Sequence, residues 1–162
     1  MLGGYYDAGD HVKFGFPMAA MTTQLAWGAI SFQEGYENAG QMKYIKETIK
    51  WATDYFIKAH NTQTNEFVGQ IGDGNADHSY WGRPEDMTMN RPAYSIGPNK
   101  PGSDLAGETA AALAAASIFY KNIGDTALAD EALSHATQLF DLANTYKGKY
   151  SDSIPNAAQF YK

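Results

Sequence analysis

Two carboxylates three residues apart, Asp7 and Asp10, stand in the run Gly3-Gly4-Tyr5-Tyr6-Asp7-Ala8-Gly9-Asp10-His11-Val12-Lys13-Phe14-Gly15-Phe16-Pro17. Carboxylates this close repel, so keeping both ionised requires hydrogen bonds that hold them. A pair held in that way suits a base that takes a proton from water. Gly3, Gly4, Gly9 and Gly15 surround the pair, and glycine permits positive φ and a close approach of backbone to ligand. The run has neither helical nor strand periodicity, which predicts a tight loop ending at Pro17. Taken bare, D-x-x-D is more often a solvated turn than a site, because short motifs match by chance.

The elements that must position this loop are mostly helical. Pro17 suits the first turn of a helix. Met18, Met21, Leu25, Ala29 and Phe32 then recur at three- and four-residue steps, predicting one apolar helical face that reaches about Glu34. Gly35 and Gly40 bracket a turn. A second helix is predicted from about Gln41 to His60, burying Met42, Ile45, Ile49, Ala52 and Phe56. The short connection implies an antiparallel pair. From Asn61 to Ser103 no period is sustained, and the stretch holds four of the six prolines together with Phe67, Tyr80, Trp81 and Tyr94. A loop this long in a compact domain is functional or disordered, and its aromatics argue against disorder. Glu66 to Ile71 is its one strand candidate. Ser103 or Asp104 can cap an alanine-rich third helix from Leu105 to about Lys121. Its small side chains imply close packing on more than one side. A fourth helix is predicted from about Thr126 to Tyr146, with Leu128, Ala132, Ala136, Leu139 and Ala143 on one face. Tyr150 to Lys162 reads as irregular. Stacked helical pairs suit a solenoid, a bundle or an α/α barrel, and composition does not separate these.

The totals exclude several functions. The chain has 162 residues, 44% apolar, 19% charged and 14% aromatic, which describes one folded domain. A net charge of −6 without basic clusters argues against nucleic acid. No Lys/Arg run suggests a membrane patch, and no apolar run approaches a membrane span. Met1-Leu2-Gly3-Gly4 opens no apolar segment of the secretory type. There are no cysteines, so disulfide and thiolate chemistry is absent. Asp73-Gly74-Asn75-Ala76-Asp77 imitates the start of a calcium loop, but His78 stands where glycine is required and Pro84 where glutamate is. No H-E-x-x-H pair, phosphate loop or nucleophilic serine motif is present. No metal, cofactor or obligate protein partner is expected.

Read at full length, the opening run through Met18-Ala19 resembles the signature of glycoside hydrolase family 9, the endoglucanases (cellulases). The likeness continues through Gly69-Gln70-Ile71-Gly72-Asp73-Gly74, Asp77-His78-Ser79-Tyr80-Trp81-Gly82-Arg83-Pro84-Glu85 and Met89-Asn90-Arg91-Pro92. It extends to Pro101-Gly102-Ser103-Asp104 and Tyr150-Ser151-Asp152-Ser153-Ile154-Pro155, in the family's order. The resemblance implies an all-α fold, the (α/α)6 barrel. This chain, with about four long helices and one long aromatic-rich loop, would be an N-terminal part of that catalytic domain. It implies inverting hydrolysis of β-1,4-glucosidic bonds, cellulose or a related β-glucan as partner, and secretion.

The resemblance also carries over roles. Asp10 would be the general base and Asp7 would hold the nucleophilic water; the rival role for Asp7 is to tighten the loop, and one residue can do both. His78 and Trp81 would lie in the sugar cleft. Aromatic faces suit the C–H face of a pyranose, and histidine can hydrogen-bond hydroxyls. The bland alternative is a Trp packed beneath the loop and a His that only caps it. Tyr5, Tyr6 and Tyr80 stand in the same motifs, where tyrosine is often core; Tyr5 is taken as a substrate-binding residue. The family's general acid, a glutamate near the end of its catalytic domain, has no counterpart here. Glu85 and Glu108 are not taken for it, since neither occupies the acid's motif. Two rival readings are a homologue that holds glucan without cutting it and a polysaccharide lyase. A lyase would want basic residues at the cleft, where only His11 and Lys13 stand.

Overall fold

The computed structural model describes all residues, Met1–Lys162. In chain order the elements are β1 (Lys13–Phe14), α1 (Gly15–Ser31), α2 (Gln33–Asn38), α3 (Met42–Ala59), β2 (His60–Asn61), β3 (Glu66–Ile71), α4 (Gly74–His78), a 3-10 turn (Pro84–Asp86), β4 (Ala93–Ile96), α5 (Ser103–Asn122), α6 (Thr126–Thr145), α7 (Tyr150–Ser153) and a last 3-10 turn (Ala157–Gln159). The four long helices stand where the apolar periods place them. No helix is long and apolar enough to cross a membrane.

Two apolar clusters show how the helices run. One gathers Ala26 and Ala29 of α1, Ile45 and Ile49 of α3, Ala116, Phe119 and Tyr120 of α5 and Ala129 of α6. The larger one gathers Phe14, Met18, Phe56, Ala59, Leu105, Leu113, Leu139 and Leu142 with Phe67 and Ile71 of β3. Hence α1 and α5 begin at the sheet end of the molecule, while α3 and α6 finish there. Buried Thr53 and Tyr120 share a hydroxyl hydrogen bond of 2.8 Å across α3 and α5.

The first helix departs from its expected face. Its buried residues are Gly15, Met18, Ala19, Thr22, Ala26 and Ala29, whereas Met21, Trp27 and Phe32 are exposed. The cause is close packing of α1 on alanine-rich α5: a stripe of small residues lets the two backbones approach, and the bulky side chains turn away. The helix also stops at Ser31, and Phe32 joins it to the short α2. The face expected for α3 holds, with Ile45, Ile49, Ala52 and Phe56 buried.

The region between Asn61 and Ser103 is an ordered layer. Its centre is β3, the one strand legible in advance, and it pairs antiparallel with β1, β2 and β4. The first two of those partners are two residues long; such strands exist only through pairing with distant residues, so local pattern cannot announce them. A bulge interrupts the register between Val68 and Gln70 of β3. Gly69 sits at the bulge, where an added Cβ would lie 2.4 Å from Leu105 Cδ2. Neither Ser103 nor Asp104 caps α5, whose cap position is Gly102. Ser103 Oγ donates to Gly148 O at 3.0 Å, and Asp104 Oδ1 accepts both the Leu105 N–H of the first turn at 3.0 Å and the Tyr150 N–H at 2.8 Å. The segment from Tyr150 onward is likewise not irregular: it forms α7 and a 3-10 turn and buries Tyr150, Ile154 and Ala157.

Candidate active site

The sheet places the Asp7–Asp10 loop. Lys13 pairs with Ile71 and Phe14 with Gln70, so the chain leaving the loop lies beside the strand that leads into α4. The loop closes on its own backbone: the Asp10 N–H donates to Asp7 O at 3.1 Å, and the Asp7 N–H donates to Val12 O at 3.0 Å. Ala8 takes positive φ, +52°, in the bend between them, a conformation uncommon outside glycine. The loop is therefore tight, but it ends well before Pro17: Lys13 and Phe14 are strand, held by pairing with β3, and α1 already begins at Gly15. Lys13 Nζ, nearly buried, donates to Met1 O at 3.0 Å and Gly3 O at 2.6 Å, fastening the N-terminal residues beneath the loop.

Each carboxylate has its own partner. His78 Nδ1 lies 3.1 and 3.0 Å from the two Asp10 oxygens, so the tautomer protonated at Nδ1 donates to that carboxylate. Asp7 Oδ2 accepts from the Tyr161 hydroxyl at 2.6 Å. The Asp7 side chain thus takes no part in closing the loop, which its backbone does. Tyr161 is pushed up to about 12, first by burial and then by the hydrogen bond and charge of Asp7, so it remains a donor at neutral pH.

His78 ends α4, a five-residue helix that could not persist alone. Asp73 caps it, its Oδ1 accepting the Ala76 N–H at 2.9 Å. Asn156 locks the cap: its Nδ2 donates to Asp73 Oδ2 at 2.6 Å, and its Oδ1 accepts from the Gly74 N–H at 2.9 Å and Gln70 Nε2 at 2.5 Å. The motif resembling a calcium loop is therefore a helix start, and no group of three or more His, Asp or Glu side chains is arranged to hold a metal ion. Asp77 is fully buried in an ion pair, 2.5 Å from Arg91 Nη1.

The remaining candidates divide. Tyr5 donates its hydroxyl to Thr48 O at 3.0 Å, while its ring lines a mostly apolar pocket of about 260 Å³ with Tyr6, Asp7, Met18 and Met21. That hydroxyl is committed to α3, so only the ring is presented. Trp81 is 99% exposed and packs under nothing, contrary to the bland alternative for it. Glu85 is exposed in the 3-10 turn and Glu108 half-buried on α5. The structure adds Tyr161, Asn156 and Arg91, to none of which the sequence gives a role. The first two lie in a segment without periodicity, far along the chain from their partners. Arg91 stands inside a recognised motif, with nothing local to indicate its ion pair.

The profile of glycosyl hydrolase family 9 matches residues 1–162. Endoglucanase A of Bacillus pumilus is 53% identical over 161 residues, 99% of this chain and 24% of that protein. An endoglucanase structure from the termite Nasutitermes takasagoensis superposes with a TM-score of 0.95 at 64% identity, over 98% of this chain and 36% of that one. Endoglucanase CelQ from Clostridium thermocellum, solved with cellotetraose, gives 0.86 at 36% identity, over 99% of this chain and 25% of that one. The structural neighbours are (α/α)6 barrels, and this chain is a part of that fold. It belongs to glycosyl hydrolase family 9.

Proposed function

We propose that this chain is the part of an endo-β-1,4-glucanase that carries the catalytic base. The observation that carries the reading is the pair of carboxylates in one glycine-rich loop, each with a single dedicated donor. His78 orients Asp10, and Tyr161 orients Asp7. In this reading Asp10 takes a proton from water, and Asp7 accepts that water's other hydrogen and aims its oxygen. The water attacks the anomeric carbon from the face opposite the leaving oxygen, so configuration inverts. The exposed Trp81 and the Tyr5 ring offer faces to pyranose rings, and His78 can hydrogen-bond a sugar hydroxyl through Nε2. The CelQ structure with cellotetraose supports a β-1,4-glucan as the ligand class.

Inverting hydrolysis needs a second carboxyl group to protonate the leaving oxygen. Neither Glu85 nor Glu108 stands in the motif of the family's acid, so the acid is assigned to the part of the family's domain that this chain does not span. Cellulose is an insoluble polymer, which is the ground for placing the enzyme outside the cell. The test is ¹H NMR of cellotetraose hydrolysis by a full-length protein carrying this chain. Fresh product in the α-anomer is expected; fresh β-anomer contradicts inversion. Binding of cellotetraose with no cleavage favours the non-hydrolytic homologue.

A further inference from the structure

We propose that Asp77, acting with Arg91, is a positioning residue for the base loop; the proposal rests on the glucanase reading above. Asp77 lies on a five-residue helix at the surface, next to a His78 side chain that is 74% exposed, yet Asp77 itself is fully buried. A buried carboxylate is tolerated only when paired and hydrogen-bonded. Asp77 meets that demand with the residue that follows the base. Its Oδ1 accepts the backbone N–H of His11 at 2.7 Å, and its Oδ2 accepts from Arg91 Nη1 at 2.5 Å. The other arm of the Arg91 fork, Nη2, donates to the carbonyl oxygen of His11.

One ion pair therefore grips both peptide groups of His11. The first of those peptide groups is the one that joins His11 to Asp10, so the grip fixes the direction in which the Asp10 side chain leaves the backbone. Neighbouring residues of α4 thus hold the base at two points, Asp77 through the backbone at His11 and His78 through the Asp10 carboxylate. The neighbourhood is shaped for the clamp. Gly72, at φ +95°, leaves room for the guanidinium, since an added Cβ would lie 3.1 Å from Arg91 Nη1. The His11 ring is set edge-on to Tyr6 and Tyr80, at 5.4 and 5.9 Å between centroids.

A carboxylate presents two acceptors, whereas an amide presents one acceptor and one donor. Asp77→Asn must therefore set a donor against either the His11 N–H or Arg91. In a full-length protein carrying this chain, that variant is expected to lower kcat on cellotetraose by about 10–100-fold, the scale set by a misplaced reacting group. KM and the Kd for cellobiose should stay within about threefold, because the sugar contacts are untouched. The double variant Asp77→Asn/Arg91→Gln restores matched donors and acceptors and should recover part of the loss. If Asp77→Asn does not fold, Arg91→Lys carries the test, since it keeps the charge and loses the fork. Lowered kcat at constant KM supports the proposal, and unchanged kcat overturns it. Loss of kcat only in proportion to loss of folded protein also overturns it. A wild type without glucanase activity, or an Asp10→Asn variant that retains it, overturns the glucanase reading and this proposal with it. An inactive Asp10→Asn beside a fully active Asp77→Asn overturns the role of Asp77 alone.

Discussion

The carboxylates of Asp7 and Asp10 differ in who holds them, and that difference sets what each substitution should do. Tyr161 gives Asp7 one short hydrogen bond from a hydroxyl that stays protonated at neutral pH. Tyr161→Phe deletes that donor and leaves the ring in place. Hydrogen bonds to charged groups contribute about 1.5–3 kcal/mol, so a kcat loss of at least about tenfold with little change in KM is expected. Steady-state kinetics on cellotetraose checks it, and an unchanged kcat would remove Asp7 orientation from the mechanism. Asp7, Asp10 and His78 are legible only through the family resemblance of their local motifs, since D-x-x-D spacing alone does not separate a site from a solvated turn. Tyr161 is not legible: its partner lies 154 positions away along the chain, and only the fold joins them. Tyr5, expected to bind substrate, spends its hydroxyl on Thr48 O and keeps only its ring for that role.

The short elements behave as one unit around β3, and long-range side chains hold them. Asn156 bonds β3 and both ends of the α4 cap. Asn156→Ala leaves buried Gln70 and the cap short of partners, at about 1–3 kcal/mol for each unsatisfied buried group. Faster amide exchange confined first to residues 73–78, together with a lowered kcat, is expected from hydrogen-exchange mass spectrometry and kinetics. A second tie joins the end of α3 to α6, where His60 Nδ1 and His135 Nδ1 stand 2.9 Å apart. His60 is pushed down to about 4, first by burial and then by His135. His135 is lowered too, mainly by burial, with Glu131 acting the other way. The folded state thus resists protonating His60. Its stabilising contribution is whole above the ordinary 6.5 and is lost as pH falls from there through about 4. Replacing both histidines by leucine should flatten the melting temperature over that window; an unchanged slope would refute the assignment. The long helices are legible from their periods. The packed face of α1 is not, because Met21 and Phe32 fit the same period as the true stripe but lie on the exposed side. Hydrophobicity alone points to the larger residues, while contact with α5 selects the smaller ones.

As a whole, the chain spans about a quarter of the curated relatives it matches, and its surface carries large apolar side chains. Trp27, Phe32, Trp51, Leu133 and Phe140 are all more than half exposed. Ala110, Ala111 and Ala114 of α5 line an open apolar groove with Leu133 and Phe140 of α6. Exposed faces of this kind promote association. Residues 1–162 alone should therefore sediment as oligomers and leave β-glucan uncut, since positioned general acid catalysis is worth about 10²–10⁴-fold. A monodisperse monomer would refute the first expectation, and glucanase activity would refute the second and return attention to Glu85. The central claim is that Asp10 is the base. It is tested most directly by Asp10→Asn in a full-length protein carrying this chain, measuring turnover and affinity for cellotetraose side by side. Turnover lower by about 10²-fold or more with affinity nearly intact is the predicted result; near-normal hydrolysis by that variant would contradict it.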